Sequence, residues 1–284
     1  MHIITHRGID SAKEHYYVES SREAFIDQLN RGYGLEFDVR LTSDKEFVVI
    51  HDQSLTRISE GKDTRKIEEV TLHELLDMEF RGCHLMSLKE LLAGIQEKQK
   101  KSALSALHLK HSAQNEETLT LLLENLKGVN TDLFIIFDVT VKTAQYLKTK
   151  NPRLHLAPSL AHSFDIERYG EATGGTLLSL EDVKKYRELF DWVWLDEWDR
   201  KDVQGGTKKF YTQELFQSLR DLGLSISLVT PELHATSPGL LGGESHSDAK
   251  DTETLFHRFG EILALTPDAV CTDYPDILQK ISTQ

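Results

Sequence analysis

Hydrophobic and polar residues alternate strictly from Gly34 to Leu41, in the segment Gly-Leu-Glu-Phe-Asp-Val-Arg-Leu. A repeat of two residues predicts a β-strand, because successive side chains of a strand point to opposite faces. Glu36 and Asp38 then share one face of this strand. The polar segment Thr42–Lys45 follows and has the composition of a turn.

The chain then returns through Phe47–Ile50, which is almost wholly apolar and rich in β-branched residues, as is typical of a buried strand. This segment ends at His51 and Asp52. A hairpin folded symmetrically about Ser43 and Asp44 would place Glu36 opposite His51. We therefore expect two carboxylates and a histidine to converge at this point of the fold.

Further along the chain, strand-like and helix-like patterns alternate. Without the return arm of the hairpin, eight strand patterns begin near residues 2, 34, 103, 133, 154, 192, 224 and 268. Most are followed by a segment of helical periodicity, and eight such units predict a (β/α)₈ TIM barrel with the hairpin as an excursion after the second strand. The alternative is an open doubly wound sheet, but no glycine-rich dinucleotide turn follows the first strand. We expect residues 1–284 to form a single domain.

Composition and charge restrict the function. A formal charge of −13 and the absence of a long Lys/Arg run argue against nucleic-acid binding. No apolar run approaches the roughly 18 residues of a membrane span, and we expect neither a signal peptide nor stable membrane insertion. Cys83 and Cys271 show no paired spacing, so we expect reduced thiols in a cytoplasmic protein. The oligomeric state stays open.

Glu36 and Asp38 are the candidate metal ligands. Two inward carboxylates would repel each other and resist burial unless a cation lay between them. Oxygen ligands of this kind suit Mg²⁺, Mn²⁺ or Ca²⁺, and we expect one divalent cation, Mg²⁺ before the other two. The alternative, an ordinary strand with one face in solvent, is favoured by spacing alone, and the nearby His51 and Asp52 shift the balance towards a metal site.

Two histidines and two positively charged side chains complete the candidate site. His6 and His51 lie at strand ends, and histidine titrates near neutral pH, as general acid–base catalysis requires. Arg7 and Lys110 would bind a phosphate group, or instead form ion pairs with neighbouring carboxylates. Three more aspartates follow other strands, and for these we prefer the interpretation that they cap the next helix. They are Asp138, Asp196 and Asp273.

A set of short motifs in this chain resembles the motifs of a known family. The motifs are His6-Arg7-Gly8, Glu19-Ser20, Glu36-Phe-Asp38, Thr42-Ser-Asp44, His51-Asp52, Leu55-Thr-Arg57 and, near the end, Thr272-Asp-Tyr-Pro275. Their order and spacing resemble the glycerophosphodiester phosphodiesterase family, whose opening pattern they match over roughly the first 60 residues.

The resemblance implies a (β/α)₈ barrel that cleaves a small-molecule phosphodiester with the help of a divalent metal. It implies His6 and His51 as the catalytic pair, Glu36 and Asp38 as metal ligands, and Arg7 as a phosphate ligand. It also implies a small insertion after the His51-Asp52 motif, at about residues 53–86, that shapes the glycerol pocket.

The third strand departs from the family pattern Glu-x-Lys. Lys110 matches that pattern, but His108 stands where the family has its third carboxylate ligand. An imidazole there could still bind the metal and would favour Mn²⁺ or Zn²⁺ over Ca²⁺. Alternatively, the metal binds through fewer protein ligands, or binds weakly.

Three functions follow from these patterns. The first is metal-dependent hydrolysis of glycerophosphodiesters to an alcohol and glycerol phosphate. The second is phospholipase D-like cleavage of lysophospholipid or sphingolipid head groups, which needs an apolar entrance; Leu240-Leu241 is the candidate. The third is a barrel that binds a phosphorylated ligand without turning it over, which His108 favours and the intact histidine and carboxylate set opposes.

Overall fold

A computed structural model describes residues 1–198, 208–234 and 246–283 of the chain. Its strands are β1 (His2–His6), β2 (Gly34–Leu41), β3 (Phe47–Val49), β4 (Glu79–Phe80), β5 (Cys83–His84), β6 (Ser105–His108), β7 (Phe134–Phe137), β8 (Leu156–Ala157), β9 (Ser159–Leu160), β10 (Leu177–Leu178), β11 (Trp192–Leu195), β12 (Ser225–Val229) and β13 (Ala269–Thr272). Its α-helices are α1 (Arg22–Arg31), α2 (Leu72–Asp77), α3 (Leu88–Lys98), α4 (Glu116–Asn125), α5 (Val141–Lys150), α6 (Ser163–Tyr169), α7 (Leu180–Lys185), α8 (Gln213–Asp221), α9 (Thr252–Ala264) and α10 (Pro275–Ser282).

The parallel strands form a ring. β1 pairs with β13 and β2, β2 pairs with β6, and β6 pairs with β7, while β13 continues through β12 to β11. The ring closes through the predicted fifth strand, which Pro158 divides: β8 pairs with β7 and β9 pairs with β11. The Trp194 amide donates to the Pro158 carbonyl at 3.0 Å, so pairing continues past the proline. The predicted (β/α)₈ architecture is confirmed.

The helices pack around the outside of this ring. Their starts follow the capping rules: the side chains of Ser21, Ser87 and Thr212 accept hydrogen bonds from the third helical amides of α1, α3 and α8. Large apolar residues from strands and helices fill the layer between them. A second, smaller cluster lies inside the ring and includes Phe137 and Trp194.

The hairpin register differs from the prediction by one residue. Leu41 pairs with Phe47 and Val39 with Val49, so the turn is centred on Asp44 and Glu36 is not opposite His51. The cause is Lys45, whose φ of 62° adds a left-handed residue to the turn. Three-residue hairpin loops commonly end in a left-handed residue, which is usually a glycine. A lysine at this position gives no sequence signal for such a loop.

The segment from 53 to 86 contains α2, the short β4–β5 hairpin and a 3₁₀ turn, Ile67–Glu69. Its apolar side chains form a small cluster with Val48 and Ile50 of the hairpin. Through these two residues the segment packs onto the end of β2 and β3, beside the carboxyl ends of the barrel strands.

The chain between β12 and α9 is described in part. The described residues contain two 3₁₀ turns, Pro231–His234 and Ser247–Ala249. The apolar entrance predicted at Leu240-Leu241 lies outside the described residues. Within the described ranges, no helix is both long enough and apolar enough to cross a bilayer.

Candidate active site

A cavity of about 160 Å³ opens among the carboxyl ends of the barrel strands. Of the seven site residues expected from sequence, six line it: His6, Arg7, Glu36, His51, His108 and Lys110. The seventh, Asp38, is fully buried beneath them and contacts both His108 and Lys110. A wider groove of about 730 Å³ adjoins this cavity and shares several of its walls.

Strand register brings these residues together. His6 pairs with Glu36 across β1 and β2, and Asp38 pairs with His108 across β2 and β6. Parallel strands present paired residues side by side, and residues two apart on one strand share a face. Neighbouring strands thus supply carboxylates and imidazoles at the same level of the barrel.

His6 is held by an aspartate that directly follows the last strand. Its Nδ1 lies 2.9 Å from Asp273 Oδ1, and the residue is 5% exposed. Burial, with the charge of Arg7, holds the pKa of His6 well below its usual value. His6 is therefore neutral at physiological pH, and the contact fixes Nδ1 as the protonated nitrogen.

His51, which lines the same cavity, has a similar arrangement. Its Nδ1 lies 2.7 Å from Asp52 Oδ1, and Arg57 Nε donates to the other oxygen of Asp52 at 2.6 Å. Arg57 also makes two hydrogen bonds to Glu19, which in turn accepts one from Arg7 at 3.2 Å. Burial lowers the pKa of His51 to about 4.

The pKa values of Glu36 and Asp38 are shifted in opposite directions. Burial and the charge of Asp38 raise the pKa of Glu36 to about 8. Burial also acts to raise the pKa of Asp38, but Lys110, His51 and His108 outweigh it and hold that pKa well below its usual value. Asp38 is thus the fixed negative charge of the site.

His108 and Lys110 both contact Asp38. His108 Nδ1 and Lys110 Nζ each lie 2.8 Å from Asp38 Oδ1, and His108 Nε2 lies 3.4 Å from Asp138 Oδ2. The imidazole stacks on Phe137, with ring centroids 4.6 Å apart. Burial lowers the pKa of Lys110.

Arg7 occupies the bend after β1. Its φ of 51° is left-handed, a conformation that costs free energy in a non-glycine residue and is common at functional sites. The bend lets its amide donate to Glu36 Oε2 at 3.2 Å while its guanidinium reaches Glu19 and, at 3.7 Å, Asp38 Oδ2. The ion-pair alternative for Arg7 is observed, and the side chain still lines the cavity.

The donor set suits a divalent cation. Glu36, Asp38 and His108 place ligand atoms within 4.8 Å of one another. Asp38 Oδ2 is buried and accepts no hydrogen bond from the described residues. A divalent cation would stabilise a buried carboxylate oxygen that accepts no hydrogen bond and lies beside a second carboxylate.

Sequence patterns missed the roles of two aspartates that contact histidines of the site. Asp273 was expected to cap a helix, but α10 begins at Pro275 without a side-chain cap, and Asp273 contacts His6 instead. Asp138 likewise does not cap α5, because Thr140 does. The contact between His51 and Asp52 could be expected, because the two residues are adjacent in sequence. The contact between Glu19 and Arg57 had no such signal, because it joins distant segments.

A second group of possible ligands consists of Glu197, His246 and Asp248. Arg258 makes ion pairs with both carboxylates, at 2.9 Å to Glu197 and 3.4 Å to Asp248. The Phe210 amide also donates to Glu197. An arginine in this position neutralises the carboxylates, so the group is a structural ion-pair network.

Comparison with protein families gives a match to the glycerophosphoryl diester phosphodiesterase family over residues 6–277. One curated relative, from Mycobacterium tuberculosis, is named "Probable glycerophosphodiester phosphodiesterase 1" and is 34% identical over 83 residues. That alignment spans 29% of this chain and only 28% of the relative.

Solved structures resemble the whole fold. A provisionally assigned glycerophosphodiester phosphodiesterase from Galdieria sulphuraria has a TM-score of 0.70 at 19% identity, covering 100% of this chain and 98% of that one. An Oleispira antarctica phosphodiesterase in complex with the product sn-glycerol-3-phosphate has a TM-score of 0.65 at 17% identity, covering 100% and 97%. The glycerophosphodiester phosphodiesterase from Thermotoga maritima has a TM-score of 0.61 at 23% identity, covering 98% of this chain and 97% of that one. At these identities the resemblance shows the fold.

Proposed function

Because the chain belongs to the glycerophosphoryl diester phosphodiesterase family, we propose that it hydrolyses glycerophosphodiesters to an alcohol and glycerol phosphate. The observation that carries the proposal is the placement of His6 and His51 on one cavity, each held through Nδ1 by an aspartate. The product bound to the Oleispira antarctica relative supports glycerol phosphate as the product here.

The two histidines would move the protons of the reaction. With Nδ1 engaged by Asp273 or Asp52, proton exchange with a substrate uses Nε2 of each ring. Both imidazoles are neutral before substrate binds, because burial lowers their pKa values. An anionic phosphodiester between them favours protonation of one ring. One histidine can then take a proton from the attacking hydroxyl or water while the other protonates the departing oxygen.

Arg7 and Lys110 would bind the phosphoryl oxygens. Both line the cavity, on either side of the buried Asp38. Arg7 offers several N–H donors, and Lys110 offers a compact positive charge. Glu36, Asp38 and His108 would hold a divalent cation, Mg²⁺ or Mn²⁺, which neutralises charge developing on the phosphate.

The adjoining groove would receive the alcohol portion of the substrate. The insertion at 53–86, which would belong to the same single domain as the barrel, would shape the pocket for the glycerol group. The groove includes Gln53, Ser54 and Thr56 from that insertion. We also propose a cytoplasmic enzyme, since Cys83 and Cys271 are both unpaired thiols.

The test is ³¹P NMR of glycerophosphocholine and glycerophosphoethanolamine incubated with the protein. We expect the diester signal to be replaced by that of glycerol phosphate when Mg²⁺ or Mn²⁺ is present, and to persist when EDTA is added. Undiminished turnover in EDTA would contradict the metal role. Release of phosphocholine, or no turnover of either diester, would contradict the proposed reaction.

A further inference from the structure

His108 is held by a carboxylate on each ring nitrogen. Nδ1 faces Asp38 Oδ1 at 2.8 Å, and Nε2 faces Asp138 Oδ2 at 3.4 Å. The ring cannot tilt away, because one face stacks on Phe137 at an interplanar angle of 17°. The plane and the direction of both nitrogens are therefore fixed by the surrounding side chains.

Asp138 has no other evident use for its carboxylate. Thr140, not Asp138, caps α5, and among the described residues His108 is the side chain that Asp138 bonds. Its φ of 64° is left-handed, which costs about 1 kcal/mol in a non-glycine residue. Gln114 Nε2 donates to its carbonyl oxygen at 2.7 Å and holds this bend. A strained backbone thus directs a carboxylate at His108.

We propose that Asp138 is a positioning residue that makes His108 a nitrogen ligand of the divalent cation. The 2.8 Å contact makes Nδ1 the donor to Asp38 as long as no cation lies between them. With a cation bound beside Asp38, a hydrogen bond from Nε2–H to Asp138 would hold the ring in the tautomer whose Nδ1 lone pair is directed at the side where Glu36 and Asp38 lie. Histidine ligands in metal sites are commonly oriented in this way by a carboxylate on the second nitrogen. The inference rests on the metal site of the proposed function.

The donor set determines which divalent cation binds best. One imidazole nitrogen and two carboxylates form a mixed donor set, which favours Mn²⁺ over the purely oxygen-seeking Ca²⁺. A glutamate in place of His108 would make the set all oxygen and would not need Asp138. The two residues should therefore act as a unit.

The first experiment uses Mn²⁺ alone as the probe. Electron spin echo envelope modulation of Mn²⁺ bound to the wild-type protein should show coupling to a directly bound ¹⁴N nucleus. The His108→Glu variant should bind Mn²⁺ without that coupling. Absence of ¹⁴N coupling in the wild type, or failure of the wild type to bind Mn²⁺, would overturn the proposal.

The second experiment is a double-mutant cycle measured by calorimetric Mn²⁺ titration. Asp138→Asn keeps the side-chain size and tolerates the left-handed backbone, and Asp138→Gly removes the side chain without strain. Each should weaken Mn²⁺ binding by about 10- to 100-fold in the wild type. In the His108→Glu background, Asp138→Asn should change the Kd less than about threefold.

Equal losses in both backgrounds would show that Asp138 supports the fold in general and would refute a role through His108. Because no substrate is present, these results are independent of turnover. A protein that binds Mn²⁺ through His108 but leaves glycerophosphodiesters intact would contradict the proposed function alone.

Discussion

At the scale of single residues, burial and paired charges decide which groups can exchange protons. His6 and His51 are both buried, and each has an aspartate on Nδ1 that would by itself favour the protonated ring. Burial outweighs these aspartates, so the pKa of each imidazole lies below its usual value. In the proposed reaction both rings would therefore start as neutral imidazoles, and the bound phosphate would favour protonation of one of them.

This balance predicts the pH dependence of kcat/KM, which reports groups of the free enzyme. The proposed reaction needs one ring protonated and the other neutral, and in the free enzyme the pKa of each lies below its usual value, at about 4 for His51. The fraction of enzyme with one protonated ring therefore grows as the pH falls from 8 to 6, so at saturating metal kcat/KM should rise over this range and decline only below about pH 4. An optimum near pH 6.5, as for two histidines in water, would contradict the assigned environment.

The limits of sequence reasoning are also visible at single residues. The sequence pointed to His6, Glu36, Asp38 and His51 because strand periodicity and motif spacing are local. It did not assign Asp273 to His6, because that contact joins residues 267 positions apart. A side chain just past a strand end can cap a helix or turn into the barrel, and the choice depends on backbone angles that the sequence does not display.

At the scale of elements, the barrel strands were predictable and their exact pairing was not. Apolar periodicity located all eight strands, but Pro158 divides the fifth between two neighbours, and Lys45 shifts the hairpin by one residue. Both effects arise where one residue changes which backbone groups can pair.

Gly34, the first residue of β2, tests the packing of the strands that carry the site. A Cβ atom there would lie 1.8 Å from the carbonyl oxygen of Leu104, which is backbone and cannot move aside. We expect Gly34→Ala to lower the free energy of unfolding by about 3 kcal/mol, the cost of severe overpacking. Chemical denaturation monitored by circular dichroism measures the change.

The matched control is Gly260→Ala in the interior of α9. A Cβ atom there meets no heavy atom within 4 Å outside the local helix backbone. The same substitution should stabilise the protein by about 0.5–1 kcal/mol, because alanine loses less entropy than glycine in a helix. Equal effects at both positions would contradict the packing described for β2.

At the scale of the whole molecule, a cation would link strands that are far apart in the chain. Its candidate ligands come from β2 and β6, and the histidines beside it are oriented by residues that follow β13 and β3. A ligand that binds only the folded barrel stabilises all of it by mass action.

Scanning calorimetry should therefore show one unfolding transition that moves upward with Mn²⁺. At a hundred times the Kd, the gain is about 2.7 kcal/mol, or a rise in Tm of about 5 °C or more. Glu36→Gln is the control: the pKa of Glu36 is about 8, so glutamine resembles its protonated form and should fold normally. An equal shift in this variant would place the cation elsewhere.

The central claim is that His6 and His51 carry the proton transfers of phosphodiester hydrolysis. The most direct measurement is kcat of His6→Ala and His51→Ala on glycerophosphocholine at saturating Mn²⁺, with His257→Ala, an exposed histidine of α9, as the control. We predict that each active-site variant stays folded and loses at least about a hundredfold in kcat, while the control is unchanged. A folded variant lacking either histidine that turns over at the wild-type rate would contradict the account.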